Sequence, residues 1–262
     1  MNPMTDSLLC RRDGTIATVT INRPEKRNAM DAATWRALGD AFEDLSRDED
    51  LRCVVMTGAG GKAFGSGNDI SEFETGRANS GQVKAYNEIT ARAVHAIETC
   101  LHPTVARIEG FCLGGGLEIA LACDIRIATA GSTFGLPVKN MGIYLDPALA
   151  DTLVNTVGRA VALEMVMEGR VFTAEEALAR GIVTRVVVDG ELDAEIAATA
   201  ERISGGAPLA QRYNRRAIRG VPVSGAVTDE VLAAAASYGD TEDYKNAYQS
   251  FAAKKKPEFR GR

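Results

Sequence analysis

Between Thr15 and Ile21 apolar and polar residues alternate, with Ala17, Val19 and Ile21 on one side and Thr18 and Thr20 on the other. That period of two predicts a strand, and Asn22-Arg23-Pro24 supplies the turn that ends it. The period then changes. Trp35, Leu38, Phe42 and Leu45 recur at helical spacing behind Asp31, a residue suited to cap a helix, and the charged run Arg47-Asp48-Glu49-Asp50 follows. Cys53-Val54-Val55-Met56 and Thr104-Val105-Ala106-Arg107-Ile108 are short runs rich in apolar residues and read as buried strands. Residues 82–100 read as a helix with Val83, Tyr86, Ile89, Ala93, Val94 and Ile97 along one face, and Pro103 prevents its continuation. Leu117, Ile119, Ala120, Leu121 and Ala122 are apolar nearly all round, the pattern of a buried helix. Short strands are expected at 125–128 and at Thr133-Phe134, helices at 148–157 and 160–167, and a strand at 183–188. After Asp189-Gly190 the alternation gives way to helices alone, at 192–203, 209–218 and 227–238. The pattern describes an α/β core with a helical tail, of the kind that packs on a neighbouring subunit. No internal repeat and no low-complexity linker interrupts it.

Composition narrows the functional classes. The 262 residues carry 30 basic and 35 acidic side chains, net −5, which argues against a dedicated nucleic-acid or anionic-membrane surface and gives RNA binding no support. Five cysteines, Cys10, Cys53, Cys100, Cys112 and Cys123, lack a C-x-x-C spacing and fall mostly in apolar segments, so buried thiols in a reducing, cytoplasmic setting are expected. The first residues have no basic start followed by a long apolar stretch, and no segment approaches the length of a membrane span. With two histidines, His95 and His102, most zinc sites and Ser-His-Asp arrangements are removed, and packed or surface roles are expected for both. No metal is expected.

The candidate chemistry lies in two glycine-containing segments, Ala63-Phe64-Gly65-Ser66-Gly67-Asn68-Asp69-Ile70 and Gly110-Phe111-Cys112-Leu113-Gly114-Gly115-Gly116-Leu117-Glu118. Each follows one of the buried strands, so each should leave its strand end with backbone N–H groups free to donate. Gly58-Ala59-Gly60-Gly61-Lys62-Ala63 lacks the spacing and the final Ser/Thr of a nucleotide-binding loop, and the second segment lacks the dinucleotide spacing. Together with Asn22-Arg23-Pro24-Glu25-Lys26-Arg27-Asn28-Ala29, Gly135-Leu136-Pro137, Phe172-Thr173-Ala174-Glu175-Glu176-Ala177, Gly181-Ile182-Val183 and the closing stretch from Glu242-Asp243 to Lys254-Lys255-Lys256 and Phe259, they resemble the enoyl-CoA hydratase/isomerase (crotonase) superfamily. The resemblance covers nearly the whole chain and rests on the order and spacing of these motifs.

That resemblance implies an α/β, crotonase-like spiral of ββα units over residues 1–200 with the acyl-CoA site, and a C-terminal helical oligomerisation region over 201–262 serving a homotrimer or homohexamer. It implies an acyl-CoA thioester substrate, with coenzyme A entering as part of that substrate and no separate cofactor. The amides of Asn68 and Gly115 would hold the thioester oxygen as it becomes anionic, a contribution worth about 2.7–4 kcal/mol per donor in other systems. Glycine at 115 would keep a side chain out of the path of the substrate.

Glu118 matches one of the two glutamates of family hydratases. Among apolar neighbours it should be desolvated and able to move a proton near neutral pH, although an acidic residue in a first helical turn also gains about 0.3–1 kcal/mol from the helix dipole. The second hydratase glutamate should follow Gly135-Leu136-Pro137, where this chain has Val138. Asp146 stands where some family members carry an active-site aspartate, and it is equally the residue expected to cap a helix that opens with Pro147. Lys26, Arg27, Asp69, Ile70 and Lys254 match positions placed against coenzyme A, with a solvated surface the alternative for Lys254-Lys255-Lys256. Ser71 replaces a lysine frequent in relatives, which weakens a phosphate contact there. Hydration or dehydration of an enoyl-CoA and double-bond isomerisation both fit; an acyl-CoA-binding protein with little hydratase activity is the alternative that Val138 raises.

Overall fold

The computed structural model describes residues 6–220 and 237–262. β1 (Leu8–Asp13) and β2 (Ile16–Ile21) form an antiparallel hairpin, and α1 (Ala32–Ser46) follows. Asp31 caps α1 by accepting a hydrogen bond from the Thr34 amide, as its position before the helical period requires. The chain then makes three similar turns. β3 (Cys53–Gly58) joins β2 in parallel, β4 (Ala63–Gly65) opens a second sheet, and the helical turn α2 (Phe73–Gly76) and α3 (Ser80–Glu98) lead back. β5 (Thr104–Ile108) lies beside β3, β6 (Phe111–Leu113) beside β4, and α4 (Gly115–Ala122) follows. β7 (Ile125–Thr129) lies beside β5, β8 (Thr133–Gly135) beside β6, and α5 (Pro147–Glu168) follows. β9 (Phe172–Thr173) pairs antiparallel with β8, and α6 (Ala174–Ala179) leads to β10 (Arg185–Val187), the last strand of the first sheet. The remaining described helices are α7 (Leu192–Ser204), α8 (Pro208–Gly220) and α9 (Glu242–Ala252).

The sheets have the orders β1-β2-β3-β5-β7-β10 and β4-β6-β8-β9. Stepping from the first sheet to the second and back through a helix, three times, is the ββα spiral that the resemblance implies. No repeat is legible in the residues because the turns share a path and not a set of side chains.

Several local expectations change. Both glycine segments run through strands of the second sheet and are not wholly loops at the ends of β3 and β5, because β4 and β6 are three residues long and too short to show a period. The two helices expected at 148–157 and 160–167 are both present within α5, separated at Gly158, whose backbone (φ 78°, ψ 159°) is not helical. β1 was not expected, since only Leu8 of its six residues is buried. Of the helix expected at 227–238, residues 227–236 lie outside the described residues, and Ser237–Asp240 form a 3-10 turn.

The unbroken apolar run of β3 is explained by burial on both faces. Val54 and Met56 point into the main core with Trp35, Phe42, Phe64 and Phe134. Cys53 and Val55 face Val105, Ile127 and the apolar side of α7, Leu192, Ile196 and Ala200. On polar α8, Arg212, Arg215 and Arg219 donate to the carbonyls of Glu49, Cys100 and Ala122, and the last two also bind the Asp124 carboxylate. These charge-assisted bonds lash the helix to the core it follows. His102 is buried against the Leu45 carbonyl, where burial and Arg212 lower its pKa to about 4, and His95 is exposed. Cys53, Cys100, Cys112 and Cys123 are buried free thiols, and Cys10 is half-buried. Among the described residues, no helix is long and apolar enough to cross a membrane.

Candidate active site

Neighbouring parallel strands deliver the two glycine segments to one place. β4 pairs with β6 through Ala63 with Phe111 and Gly65 with Cys112, so the chain leaves both strands side by side. The segments then touch through backbone. A Cβ on Gly116 would lie 2.2 Å from the Gly65 carbonyl oxygen, and one on Gly67, whose φ is 101°, would lie 3.2 Å from the Gly115 nitrogen. Only glycine permits that approach and that φ. Gly114 donates to the Gly135 carbonyl at 2.9 Å, which ties the end of β6 to β8.

Two amides are left over in this contact. The Met30 amide donates to Gly67 and the Asp69 amide to Met30, each at 2.8 Å, a bridge that passes over the Asn68 N–H. Gly115 is the first residue of α4, where an N–H has no partner within the helix. Among the described residues neither amide has an acceptor.

Glu118 follows one helical turn behind Gly114, to whose carbonyl its own amide donates. Its side chain is half-buried and has no hydrogen bond or ion pair among the described residues. Burial among apolar neighbours, with a smaller push from the Asp146 charge, raises its pKa from 4.5 to about 7, and Arg77 pulls the other way. Asp146 therefore lies within electrostatic reach of Glu118. It also caps α5, accepting from the Ala148 amide at 2.9 Å, so the two readings of this residue coexist. Val138 opens a 3-10 turn after Pro137 and offers no proton.

Asp69 is the centre of a different cluster. Its carboxylate accepts from Arg23 Nη2 at 3.0 Å, Lys26 Nζ at 2.7 Å, and the hydroxyl and amide of Ser71 at 2.7 and 3.2 Å. Burial would raise its pKa, but these donors together outweigh it and hold the carboxyl well below the usual carboxylate range. The Lys26 ammonium is thus shared with a carboxylate. Arg27 adopts a left-handed conformation (φ 52°) with its guanidinium 5.3 Å from the centre of the Phe111 ring. Ile70 is exposed beside this cluster. The fold brings Asn68, Asp69, Gly115, Glu118, Lys26 and Asp146 to one region. Lys254 is exposed beyond α9 and has no hydrogen bond or ion pair to the Asp69 cluster. A cavity of about 190 Å³ at the C-terminus is lined by Glu242, Asp243, Glu258, Asn246 and Arg260, an acidic lining unsuited to phosphates.

Three residues of the site carried no signal that singles them out in the sequence. Arg23 pairs with both Asp69 and Asp31 across 46 and 8 positions. The Arg77 guanidinium lies 4.9 Å from the ring centres of Phe73 and Tyr86, donates to Asn87, and has a buried Nη1 without a partner among the described residues. Trp35 donates from its indole nitrogen to Asn68 Oδ1 at 2.8 Å. It also adds a reason for glycine at 115, since a Cβ there would meet Trp35 Cζ2 at 2.7 Å. The neighbour that excludes a side chain is the ring beneath the loop.

Comparison with known proteins places the chain in a family. The family model described as enoyl-CoA hydratase/isomerase matches residues 11–262. The short-chain-enoyl-CoA hydratase of Clostridium acetobutylicum is 33% identical over 258 residues, covering 97% of both chains. The carnitinyl-CoA dehydratase of Salmonella enteritidis is 34% identical over 265 residues, covering 99% of this chain and all of its own. Among solved structures, an enoyl-CoA hydratase/carnitine racemase from Magnetospirillum magneticum superposes with a TM-score of 0.96 at 41% identity over 98% of this chain and 97% of its own. A family match along nearly the full length, on a fold that places paired glycine segments beside Glu118, shows that the chain belongs to the enoyl-CoA hydratase/isomerase family of acyl-CoA enzymes, within the crotonase superfamily.

Proposed function

We propose that this enzyme acts on an enoyl-CoA thioester, with the Asn68 and Gly115 amides holding the thioester oxygen and Glu118 moving the proton. The observation that carries the reading is Glu118 itself, a carboxyl with a pKa of about 7 that has no hydrogen-bond partner among the described residues and stands one helical turn from an amide with no acceptor among them. At neutral pH such a group is divided between carboxylate and acid, so it can both take and return a proton.

One carboxyl suffices for double-bond migration. Glu118 removes a proton from Cα of a 3-enoyl thioester, the electron pair delocalises onto the oxygen held by the two amides, and the same group returns the proton at Cγ. The product is the 2-enoyl thioester. Hydration asks for more, because water must be activated for attack at Cβ while a proton reaches Cα, and Val138 removes the second glutamate that hydratases use. Asp146 is the residue available to share that work. Migration is accordingly the reaction this arrangement serves most directly, and hydration or dehydration, the activities named for the two relatives, is the second reading that Asp146 keeps open. Binding of acyl-CoA with little turnover is a third, favoured by Val138 alone.

Lys26, Arg27 and Lys254 are proposed to face the phosphates of coenzyme A, with Asp69 fixing Lys26 and Ile70 lining the adenine side. Residues 1–200 would form the spiral core and 201–262 the oligomerisation region of a cytoplasmic homotrimer or homohexamer. Assays of 2-enoyl and 3-enoyl thioesters in oxygen-18 water, followed by mass spectrometry, test the reaction. Product with shifted unsaturation and no label supports migration; label at Cβ establishes hydration; no turnover of any thioester, with tight binding retained, establishes a binding protein.

A further inference from the structure

We propose that Trp35 is a positioning residue for the thioester oxygen, setting the separation of the Asn68 and Gly115 amides from beneath. This rests on the reading of those amides given above. Trp35 is fully buried on α1, far in sequence from both segments. Its indole nitrogen donates to the side-chain oxygen of Asn68 at 2.8 Å, and the edge of the same ring lies under Gly115, 2.7 Å from where a Cβ would stand. One rigid side chain therefore touches both donors, one through a hydrogen bond and the other through van der Waals contact.

The arrangement has a physical purpose. Asn68 is half-buried in a loop between Gly67 and the Asp69 cluster, with its peptide N–H committed to no acceptor among the described residues. The Gly67 carbonyl of the same peptide unit is held by the Met30 amide, and the indole bond adds a second restraint from the side-chain end. Preorganised donors stabilise a developing oxyanion because they need no reorientation during the reaction. The indole bond fixes the Asn68 side chain and, with the Met30 bond to the Gly67 carbonyl, limits rotation about the N–Cα bond that joins the side chain to its amide. This also gives Asn68 a side-chain role besides its backbone one.

The test uses Trp35→Phe, which deletes the donor and keeps most of the ring, Asn68→Ala, which deletes the acceptor and keeps the amide, and the double variant. Two quantities are read in each: kcat and KM on the best enoyl thioester, and the infrared carbonyl frequency of bound butyryl-CoA and octanoyl-CoA carrying a carbon-13 thioester carbonyl. Each single variant is expected to lower kcat by about tenfold to a hundredfold, the scale of a small misplacement of reacting groups. KM should change little, and the downshift in carbonyl frequency seen in the wild type should shrink. The double variant should be no slower than the worse single one, since both remove one bond.

A wild-type carbonyl frequency equal to that in water overturns the reading of the amides, and the inference with it. A normal downshift retained in both single variants, with kcat unchanged, overturns the role of Trp35 alone. Should Trp35→Phe fail to fold, Asn68→Ala decides the matter, because it alters a half-buried side chain and leaves the core intact.

Discussion

Glu118 and Asp69 are carboxylates placed alike, each a few residues beyond a short strand of the second sheet, and the fold treats them in opposite ways. Asp69 is only 6% exposed, yet its pKa is lowered, while Glu118 is raised to about 7. Burial alone would raise both. The difference lies in the donors, since Asp69 accepts four hydrogen bonds, two of them from cations, and Glu118 accepts none among the described residues. A saturated carboxylate is a fixed charge that holds a loop. One stripped of donors in apolar surroundings holds its proton loosely near neutrality. A site that must fix a ligand and also move a proton needs one of each.

The largest expected effect comes from removing the mobile proton. Glu118→Gln keeps size and polarity but cannot exchange a proton, and kcat should fall by about 10²–10⁴-fold, the usual contribution of a general acid or base. Steady-state assays of the folded variant check this, and unchanged turnover rules the residue out. Stability should move the other way. Because the folded pKa lies above the unfolded 4.5, the folded state holds the proton longer, so the wild type loses stability as pH rises from about 4.5 to about 7. The glutamine variant lacks that loss. Denaturation curves should show it gaining on the wild type through that window and keeping the advantage above it.

Asp69→Asn tests the other half. Hydrogen bonds to charged groups and the stranding of Arg23 and Lys26 set the expected destabilisation at about 1–3 kcal/mol at neutral pH. KM for the thioester should rise as the loop loosens, with a smaller effect on kcat than Glu118→Gln. The sign of the pH dependence is reversed here. A folded pKa below the unfolded 3.8 means that the stabilisation is complete above that value and is lost as pH falls through the folded pKa, so the two proteins should converge only in strong acid. A variant as stable as the wild type at pH 7 would show that the cluster is ornamental.

The contrast between the two carboxylates was only half legible in the residues. Apolar neighbours at Leu117, Ile119 and Ala120 announced the desolvation of Glu118, because a helix reports its surroundings locally. Helix starts were legible for the same reason, at Asp31 and at Asp146, each of which accepts from an amide of the first turn. Saturation of Asp69 depends on Arg23 and Lys26, more than forty positions away, and no spacing rule connects them. The strands β4 and β6 escaped notice because three residues carry no period. Trp35 read as one more apolar position on α1, since its contact with Asn68 exists only once the spiral has closed.

The smallest expected effects are the most discriminating, because they act on Glu118 without touching it. Asp146→Asn removes a negative charge that favours the protonated form, and asparagine caps helices about as well as aspartate, so α5 should survive. The acid limb of the kcat profile should move to lower pH. Arg77→Met removes a positive charge that favours the carboxylate while retaining much of the contact with Phe73 and Tyr86, and the same limb should move to higher pH. Opposite displacements would show that both neighbours reach Glu118 through the field they impose. If neither limb moves, desolvation by itself sets the pKa, Asp146 is a helix cap and nothing more, and hydration loses the only second carboxyl proposed for it. In that case Glu118 works alone, and migration of a double bond is what a single proton carrier can accomplish.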